Sequence, residues 1–332
     1  MTNSQNSTEN VGNLQREIQQ EQDRKDAQKQ GGSQGGGQQE PQGVQTGTHD
    51  FPDGDLPSQH LAKPGIEAEM ELKPQFMAPG YKGSGKLEGM SAIVTGGDSG
   101  IGRAVAVLYA REGADVALVY LADEQEDAVE TKRCIEAEGR RCILLPGDVR
   151  DAQFCKRAVE ETLQAFGKVD ILVNNAAFQE HADSLEDLTE ERFDLTMKTN
   201  IYGYFHMAKA VLPHLKKGAS IINTGSVTGL QGSSKLLDYS STKGAIHAFT
   251  MSLASNVLEK GIRVNAVAPG PVWTPLNPAD QTPEKIAQFG QSTDMKRPAQ
   301  PEELSPAYVF LAAPSCASYI TGIILPITGS VG

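Results

Sequence analysis

The chain has 332 residues, with 42 Asp and Glu against 30 Lys and Arg, so its formal net charge is −12. An acidic surface repels phosphate backbones, which argues against a nucleic-acid partner. The opening residues carry no apolar segment typical of a secretory signal, and no apolar run is long enough to cross a bilayer. We therefore expect a cytoplasmic protein that binds neither nucleic acid nor membrane.

Cysteine and histidine spacing gives no sign of a metal site. The four cysteines form no pair at metal-ligand or redox-motif spacing, as expected of free thiols in a reducing compartment; they are Cys134, Cys142, Cys155 and Cys316. Four histidines lack carboxylate or cysteine partners at ligand spacing, namely His181, His206, His214 and His247. We predict that the protein holds no metal.

Two regions precede the part of the chain that reads as a folded domain. Residues 1–50 contain no Phe, Trp or Tyr and are rich in Gln and Gly, which predicts a disordered tail. Within it, Leu14 and Ile18 lie one turn apart and would allow a short helix, marginal without a partner. Residues 51–85 mix prolines with scattered apolar side chains, which favours an extended lead-in lying on its own domain or on a second subunit.

Residues 86–332 alternate apolar strands with amphipathic helices. The pattern predicts strands at 91–94, 116–120, 142–145, 171–174, 220–224, 263–268 and 323–327. It predicts helices at 101–112, 124–138, 151–166, 190–215 and 239–259, with Pro213 disturbing the end of the fourth. Continuous apolar strands between helices predict one α/β domain of Rossmann type, a doubly wound parallel sheet with helices on both faces. Its ligand site should lie at the carboxyl ends of the strands.

A glycine-rich turn follows the first predicted strand and opens the first helix of this domain. Residues 95–102 read TGGDSGIG. Because a strand precedes the turn and a helix follows it, its backbone can approach a dinucleotide pyrophosphate. We therefore predict that this turn binds a dinucleotide cofactor.

Tyr239 and Lys243 lie four residues apart, on one face of a predicted helix. Free tyrosine has a pKa near 10 and is a poor base at neutral pH, whereas a nearby ammonium favours the phenolate. Ser226, thirteen residues before Tyr239, can hold and polarise a substrate oxygen. Together with the glycine turn, these three side chains indicate hydride transfer coupled to proton transfer.

Two further strand ends carry polar residues with two interpretations each. Asp148 could accept a hydrogen bond from an adenine amino group, or else Asp148 or Asp151 caps the next helix. Asn174 and Asn175 could let the chain pass close to a ribose, or serve only as turn residues. For Asp148 the local sequence favours the helix cap, and at the end of the fourth strand it leaves the two interpretations open.

The order of TGGDSGIG, NNAA, Asn200, Ser226 and the YSSTK segment at 239–243 resembles the short-chain dehydrogenase/reductase family over about 87–332. The tail, with PGIEAEM and YKGSGKLEG in the lead-in, further resembles its bacterial general-stress branch. The resemblance implies that Tyr239 accepts or donates the proton, with Lys243 as its electrostatic partner. It implies that Ser226 orients the substrate and that Asn200 holds a water in a proton relay through Lys243.

The same resemblance implies the remaining cofactor contacts and a homotetramer. The residues that it places against the cofactor are Gly96, Ser99, Gly100, Ile101, Gly102, Tyr120, Asp148, Val149, Asn175, Tyr239, Lys243, Pro269, Gly270 and Thr274. For the choice of cofactor, Tyr120 ends the second strand and is followed closely by Asp123 and Glu124, which would oppose a 2′-phosphate. The only nearby base is Arg103. We therefore expect NAD or NADP, with NAD favoured.

Residues 272–301 correspond to the segment where this family keeps a mobile lid over the substrate. Its polarity favours a small aldehyde, ketone, sugar or polyol alcohol over a large apolar ligand. The leading hypothesis is an NAD(P)-dependent dehydrogenase or carbonyl reductase acting on a small alcohol, aldehyde or ketone. The alternative is a non-catalytic nucleotide-binding protein that protects against stress through its N-terminal tail.

Overall fold

The computed structural model describes residues 2–29 and 43–331 and contains one seven-stranded sheet. In chain order the strands are β1 Ser91–Thr95, β2 Asp115–Tyr120, β3 Cys142–Pro146, β4 Ile171–Asn174, β5 Ser220–Thr224, β6 Arg263–Pro269 and β7 Ile324–Ile327. All neighbouring pairs are parallel, in the spatial order β3-β2-β1-β4-β5-β6-β7. The predicted doubly wound parallel sheet is confirmed, and the strand order reverses between β1 and β4.

Eleven α-helices are described. They are α1 Thr2–Lys29, α2 Gly100–Arg111, α3 Gln125–Ala137, α4 Ala152–Phe166, α5 Glu190–Met197, α6 Gly203–Val211, α7 Thr228–Gln231, α8 Leu237–Val257, α9 Pro283–Ala287, α10 Pro301–Ala312 and α11 Pro314–Ala317. One apolar core unites one face of the sheet with α2, α3 and α10, and a second unites the other face with α4, α6 and α8. Short 3₁₀ turns occupy Glu67–Glu69, Ala122–Glu124 and Leu258–Lys260.

The helix predicted over 190–215 is interrupted. Helices α5 and α6 are joined by a π-helical turn at Lys198–Tyr202, and the path ends at Val211, two residues before Pro213. Proline cannot donate the next helical hydrogen bond, which explains the end point. π-Turns are rare and frequently occur at functional sites, and this one carries Asn200.

The lead-in, residues 51–85, packs on the chain's own segment 272–301. Leu61 and Met70 are 4 % and 2 % exposed and share a cluster with Trp273, which is fully buried. The Trp273 indole N–H donates to Leu72 O over 2.9 Å, and Leu61 N donates to Pro278 O over 2.9 Å. The lead-in therefore holds the segment 272–301 against the body of the domain.

Helix α1 differs from the disordered tail predicted for residues 1–50. Over 11–28 it is an ordered helix with a stripe of buried glutamines at helical spacing, namely Gln15, Gln19 and Gln22. Gln19 alone donates to Leu61 O and Ala279 O, at 2.7 and 3.0 Å. These contacts supply the partner that an isolated helix would lack. The Gly-rich stretch 31–37 lies outside the described residues, so disorder there stays a prediction.

Within the described ranges 2–29 and 43–331, no helix combines the length and the apolar character that crossing a membrane requires.

Two methionines of the lead-in test whether this segment is part of the folded core. Met70 is 2 % exposed and Met77 is 41 % exposed. We expect Met70→Ala to lower the free energy of unfolding by about 2–5 kcal/mol, because it leaves a cavity, and Met77→Ala to lower it by less than about 0.5 kcal/mol. Urea unfolding measures both. Equal effects of the two variants would show that the lead-in is not anchored as described.

Candidate active site

A cavity of about 420 Å³ opens at the carboxyl ends of the strands. It is lined by most of the residues that the sequence singled out: Gly96, Ser99, Gly100, Ile101, Tyr120, Asp148, Val149, Asn175, Ser226, Tyr239, Lys243, Pro269, Gly270 and Thr274. Gly102 and Asn200 are not part of this lining. The fold thus brings together residues from six strand ends and from α8 around one space.

The glycine turn has the backbone shape that a dinucleotide requires. Gly96 and Gly100 have φ of +59° and +49°, a region that favours glycine. A Cβ on Gly102 would lie 1.8 Å from Gly96 O, so Gly102 permits the tight turn from inside rather than facing the cavity. Thr95 Oγ1 accepts from the amides of Asn175 and Ala176, at 2.9 and 3.1 Å, which joins the turn to the end of β4. This cradle of backbone fits a nicotinamide dinucleotide.

Arg103, the base that the sequence placed near a 2′-phosphate, is committed elsewhere. Its Nη1 lies 2.5 Å from Glu67 Oε1, and its Nε donates to Asp98 O and Thr131 Oγ1, both at 2.8 Å. Glu67 Oε2 also accepts from the Gly100 amide at 2.7 Å, at the N-terminus of α2. Burial raises the pKa of Glu67 to about 7 although Arg103 opposes the shift. Arg103 therefore helps to hold the lead-in in place and is not available to a 2′-phosphate.

Tyr239 and Lys243 lie as predicted on one face of α8, but burial decides their charge states. Lys243 Nζ lies 5.2 Å from the centroid of the Tyr239 ring and donates to Thr224 O at 2.8 Å. Burial raises the pKa of Tyr239 well above its usual range, and Ser226 opposes the shift only in part. Burial also lowers the pKa of Lys243 to about 7. The expected lowering of the tyrosine pKa by Lys243 is not the dominant effect.

The Ser226 hydroxyl is oriented by the turn that follows it. Its Oγ accepts from Thr228 N at 3.1 Å and from Thr228 Oγ1 at 3.0 Å, and the residue is 7 % exposed. Because the oxygen accepts twice, the hydroxyl hydrogen is left to donate towards Tyr239 and the cavity that both residues line.

Asn200 has a side chain engaged with backbone and with α8. Its Oδ1 accepts from Phe178 N at 2.8 Å, while its Nδ2 donates to Phe178 O and Thr242 Oγ1, both at 3.0 Å. These bonds fix the loop after β4 against the helix that carries Lys243. The water relay through Asn200 stays a prediction.

The structure assigns the cap of α4, whereas the cofactor contacts predicted at the ends of β3 and β4 stay predictions. Asp151 caps α4 by accepting from Gln153 N at 2.8 Å. Asp148 instead pairs with Arg150 at 2.9 Å and lines the cavity. Asn175 donates to Gly96 O at 3.0 Å and accepts from Thr224 Oγ1 at 3.2 Å, so its side chain links the glycine turn to β5.

A buried cluster of charges beside the cavity escaped the sequence-based prediction. Ligand atoms of Glu180, His181 and Asp280 lie within 4.8 Å of one another, a grouping able to hold a metal ion. Lys63 Nζ lies 3.0 Å from Glu180 Oε2, so the lead-in supplies a cation there. His181 Nε2 also lies 2.9 Å from Asp26 Oδ2 of α1. Sequence spacing could not show this cluster, because its members come from four distant segments.

Comparison with known proteins gives consistent matches. The family model described as Enoyl-(Acyl carrier protein) reductase matches residues 96–330. General stress protein 39 of Bacillus subtilis (strain 168) is 51 % identical over 83 % of this chain and 96 % of its own length. NADPH-dependent aldehyde reductase 1, chloroplastic, of Arabidopsis thaliana is 49 % identical over 80 % and 93 %.

Solved structures agree with these sequence matches. A short-chain dehydrogenase from Burkholderia cenocepacia J2315 in complex with NADP is 34 % identical, with a TM-score of 0.69 over 74 % of this chain and 98 % of its own. Other solved structures with this fold are described as bound to NAD or complexed with NADH. A nicotinamide cofactor is therefore supported for this fold, whereas the expected preference for NAD is not.

We expect Glu180 to make the free energy of unfolding depend on pH. Burial raises its pKa from 4.5 to about 7, so between these values the folded chain keeps a proton that the unfolded chain has released. Stability from this group is therefore lost as pH rises towards about 7, by on the order of 2–3 kcal/mol. We expect Glu180→Gln to flatten the decline measured by urea unfolding between pH 5 and 7.5. The exposed Glu186→Gln is the control, and identical pH slopes for all three proteins would contradict the prediction.

Proposed function

The chain belongs to the short-chain dehydrogenase/reductase family, and from this premise we propose that it transfers hydride between a nicotinamide cofactor and a small alcohol or carbonyl compound. The observation that carries the proposal is the meeting of Ser226, Tyr239 and Lys243 at one cavity, where they are 7 %, 8 % and 1 % exposed. A bound nicotinamide would supply or accept the hydride. A non-catalytic protein acting through its tail is not favoured.

Each of these three side chains has a chemical property that suits a role in carbonyl reduction. The Ser226 hydrogen, left over after its oxygen accepts from Thr228, is available to the substrate oxygen. Tyr239 is held in its protonated form by burial, which suits donation of a proton to that oxygen as the alcohol forms. Lys243, with a pKa near 7, can exchange a proton at neutral pH beside the tyrosine. We therefore propose reduction of carbonyls as the favoured direction.

The substrate class follows from the segment that covers the cavity. Asn277, Gln281 and Lys285 line it with polar groups, and Phe289 adds an apolar wall. Such a mixture suits a small polar aldehyde or ketone better than a large apolar one. The relative named as an aldehyde reductase supports the same class.

The choice between NAD and NADP rests on opposing observations. Asp123 and Glu124 follow β2 and would repel a 2′-phosphate, and Arg103 is engaged with Glu67. Arg16 of α1, however, lies 2.9 Å from Asp123 Oδ2 and offsets its charge. One similar protein is named as NADPH-dependent, and one similar structure is in complex with NADP. Like the Arg16 contact, these favour acceptance of NADP. We propose that both cofactors are accepted.

We also propose that the protein is a homotetramer. Tyr202 and Phe205 are 54 % and 43 % exposed and adjoin Phe249 of α8 in one apolar patch. Exposed aromatic side chains grouped in this way are typical of protein–protein interfaces.

Replacing Tyr239 should lower the rate of the reaction without weakening cofactor binding. We expect Tyr239→Phe to lower kcat for carbonyl reduction by about 10²–10⁴-fold, since the proton donor is lost. Cofactor affinity should stay within about threefold, because the ring remains. Tyr319→Phe, at a fully exposed tyrosine, serves as the control. A panel of aldehydes, ketones and alcohols with NAD(H) and NADP(H), followed by nicotinamide absorbance, gives the rates. Full activity of Tyr239→Phe on a substrate that the parent uses would disprove the mechanism.

A charge placed in the apolar patch tests the assembly. Phe205→Asp should shift the mass measured by light scattering from a tetramer to smaller species, because burying an unpaired carboxylate in an interface is costly. Val129→Asp introduces the same charge at a position that is 50 % exposed on α3, outside this patch, and should leave the mass unchanged. A tetramer that survives Phe205→Asp, or a monomeric parent protein, would count against the proposal.

A further inference from the structure

Helix α1 passes over the adenosine end of the cavity. We propose that this helix is part of the cofactor site, with the Gln15 side chain hydrogen-bonding the adenosine half of the bound dinucleotide. The inference rests on nicotinamide-cofactor binding, as in the proposed function, and assigns a binding residue within the N-terminal tail.

The first half of α1 is fixed beside the end of β2. In doubly wound folds the residues that follow this strand meet the adenosine ribose. Arg16 Nη1 lies 2.9 Å from Asp123 Oδ2 and 3.3 Å from Lys63 O. A Cβ on Gly12 would lie 2.5 Å from the same Asp123 oxygen, so glycine permits the close approach. The helix is therefore in contact with the segment Ala122–Glu124.

Two side chains of α1 reach the cavity from this position. Val11 and Gln15 are 2 % and 5 % exposed, and both line it together with Tyr120, Leu121 and Glu124. Over residues 2–29 and 43–331, the Gln15 side chain shows no hydrogen-bond partner. The Gln15 amide is not among the side-chain polar atoms of the described residues that are shielded from solvent without a partner, so it faces the open cavity, where a ligand can bond it without displacing a contact within the protein. An amide can donate to ribose or phosphate oxygens and accept from hydroxyl groups.

The second half of α1 holds the helix in place by other polar contacts. Gln19 accepts from Lys63 N at 3.0 Å and donates to Leu61 O and Ala279 O. Asp26 lies 2.9 Å from His181 Nε2 near the substrate end. Gln22 Nε2 donates to Asp26 Oδ1 at 3.1 Å, so the glutamines at 19 and 22 have partners within the protein, whereas Gln15 lines the cavity.

The experiment compares one chemical change on two faces of α1. Gln15→Glu is nearly isosteric and places a negative charge where the proposal puts the cofactor, whereas Gln20→Glu places it on the exposed face. Titration of NADH and NADPH fluorescence in the absence of substrate gives the Kd. We expect Gln15→Glu to raise both values by at least about tenfold, more for NADPH because of its extra phosphate, and Gln20→Glu to change them less than twofold.

A second variant and a second measurement guard against a loss of folding. Gln15→Leu removes the polar atoms without adding charge and should raise the Kd by about three- to tenfold, with thermal unfolding unchanged. In the parent protein, saturating NADPH should slow amide hydrogen exchange in residues 11–22.

Equal Kd values for Gln15→Glu and Gln20→Glu, or exchange in 11–22 that NADPH does not change, would overturn the proposal. Because neither readout needs turnover, failure of the proposed reductase activity would leave these results intact and is recognised separately.

Discussion

The contact between Glu67 and the start of α2 is the constraint on which the remaining arrangement depends. One carboxylate satisfies the Gly100 amide and pairs with Arg103, while Asp127 accepts from the Glu67 and Ala68 amides, at 2.6 and 3.1 Å. A buried ion pair contributes little net stability, because desolvation offsets the attraction, but breaking one partner is costly. Its effect here is to fix the lead-in at one register beside the glycine turn.

That register determines what lies over the cavity. From Glu67 the lead-in runs back through Gly65, whose φ is +97° and whose added Cβ would meet Pro275 O at 2.8 Å. Lys63 then donates to Gln179 O and Ala279 O, at 2.7 and 2.8 Å, from inside the protein. The lead-in thus connects the glycine turn, the loop after β4 and the covering segment 272–301. The covering segment and α1 both contact the lead-in, so the position of each depends on it.

The parts of the fold set by local pattern could be predicted from the sequence. Continuous apolar strands are buried on both faces of a parallel sheet, so their positions were visible to within one or two residues. The glycine turn was also evident, since its conformation needs glycine whatever packs around it. Ser226, Tyr239 and Lys243 could be named because their chemistry is recognisable at fixed spacing. Whether each of these residues acts as assigned stays a prediction.

The parts that depend on distant contacts could not be predicted. The glutamines of α1 read as disorder-promoting composition, because the contacts of Gln19 with Leu61, Lys63 and Ala279, which make its burial favourable, come from distant segments. Helix α10 was missed although Pro301 at its first turn and Glu303 bonding back to Gln300 N at 2.8 Å are helix-start signals. The commitment of Arg103 to Glu67 depended on a pairing 36 residues apart.

The same limit applies to the charge states at the catalytic helix. Spacing alone suggested that Lys243 would ionise Tyr239, but desolvation acts on both groups and disfavours both charges. A neutral tyrosine that gives up its proton leaves a buried phenolate, and a protonated lysine beside it would offset that charge. In the proposed carbonyl reduction, Tyr239 would deliver its proton to the substrate oxygen and then regain one. Burial, rather than the ammonium, therefore sets the protonation state of Tyr239, and the segments that cover the cavity help to produce that burial.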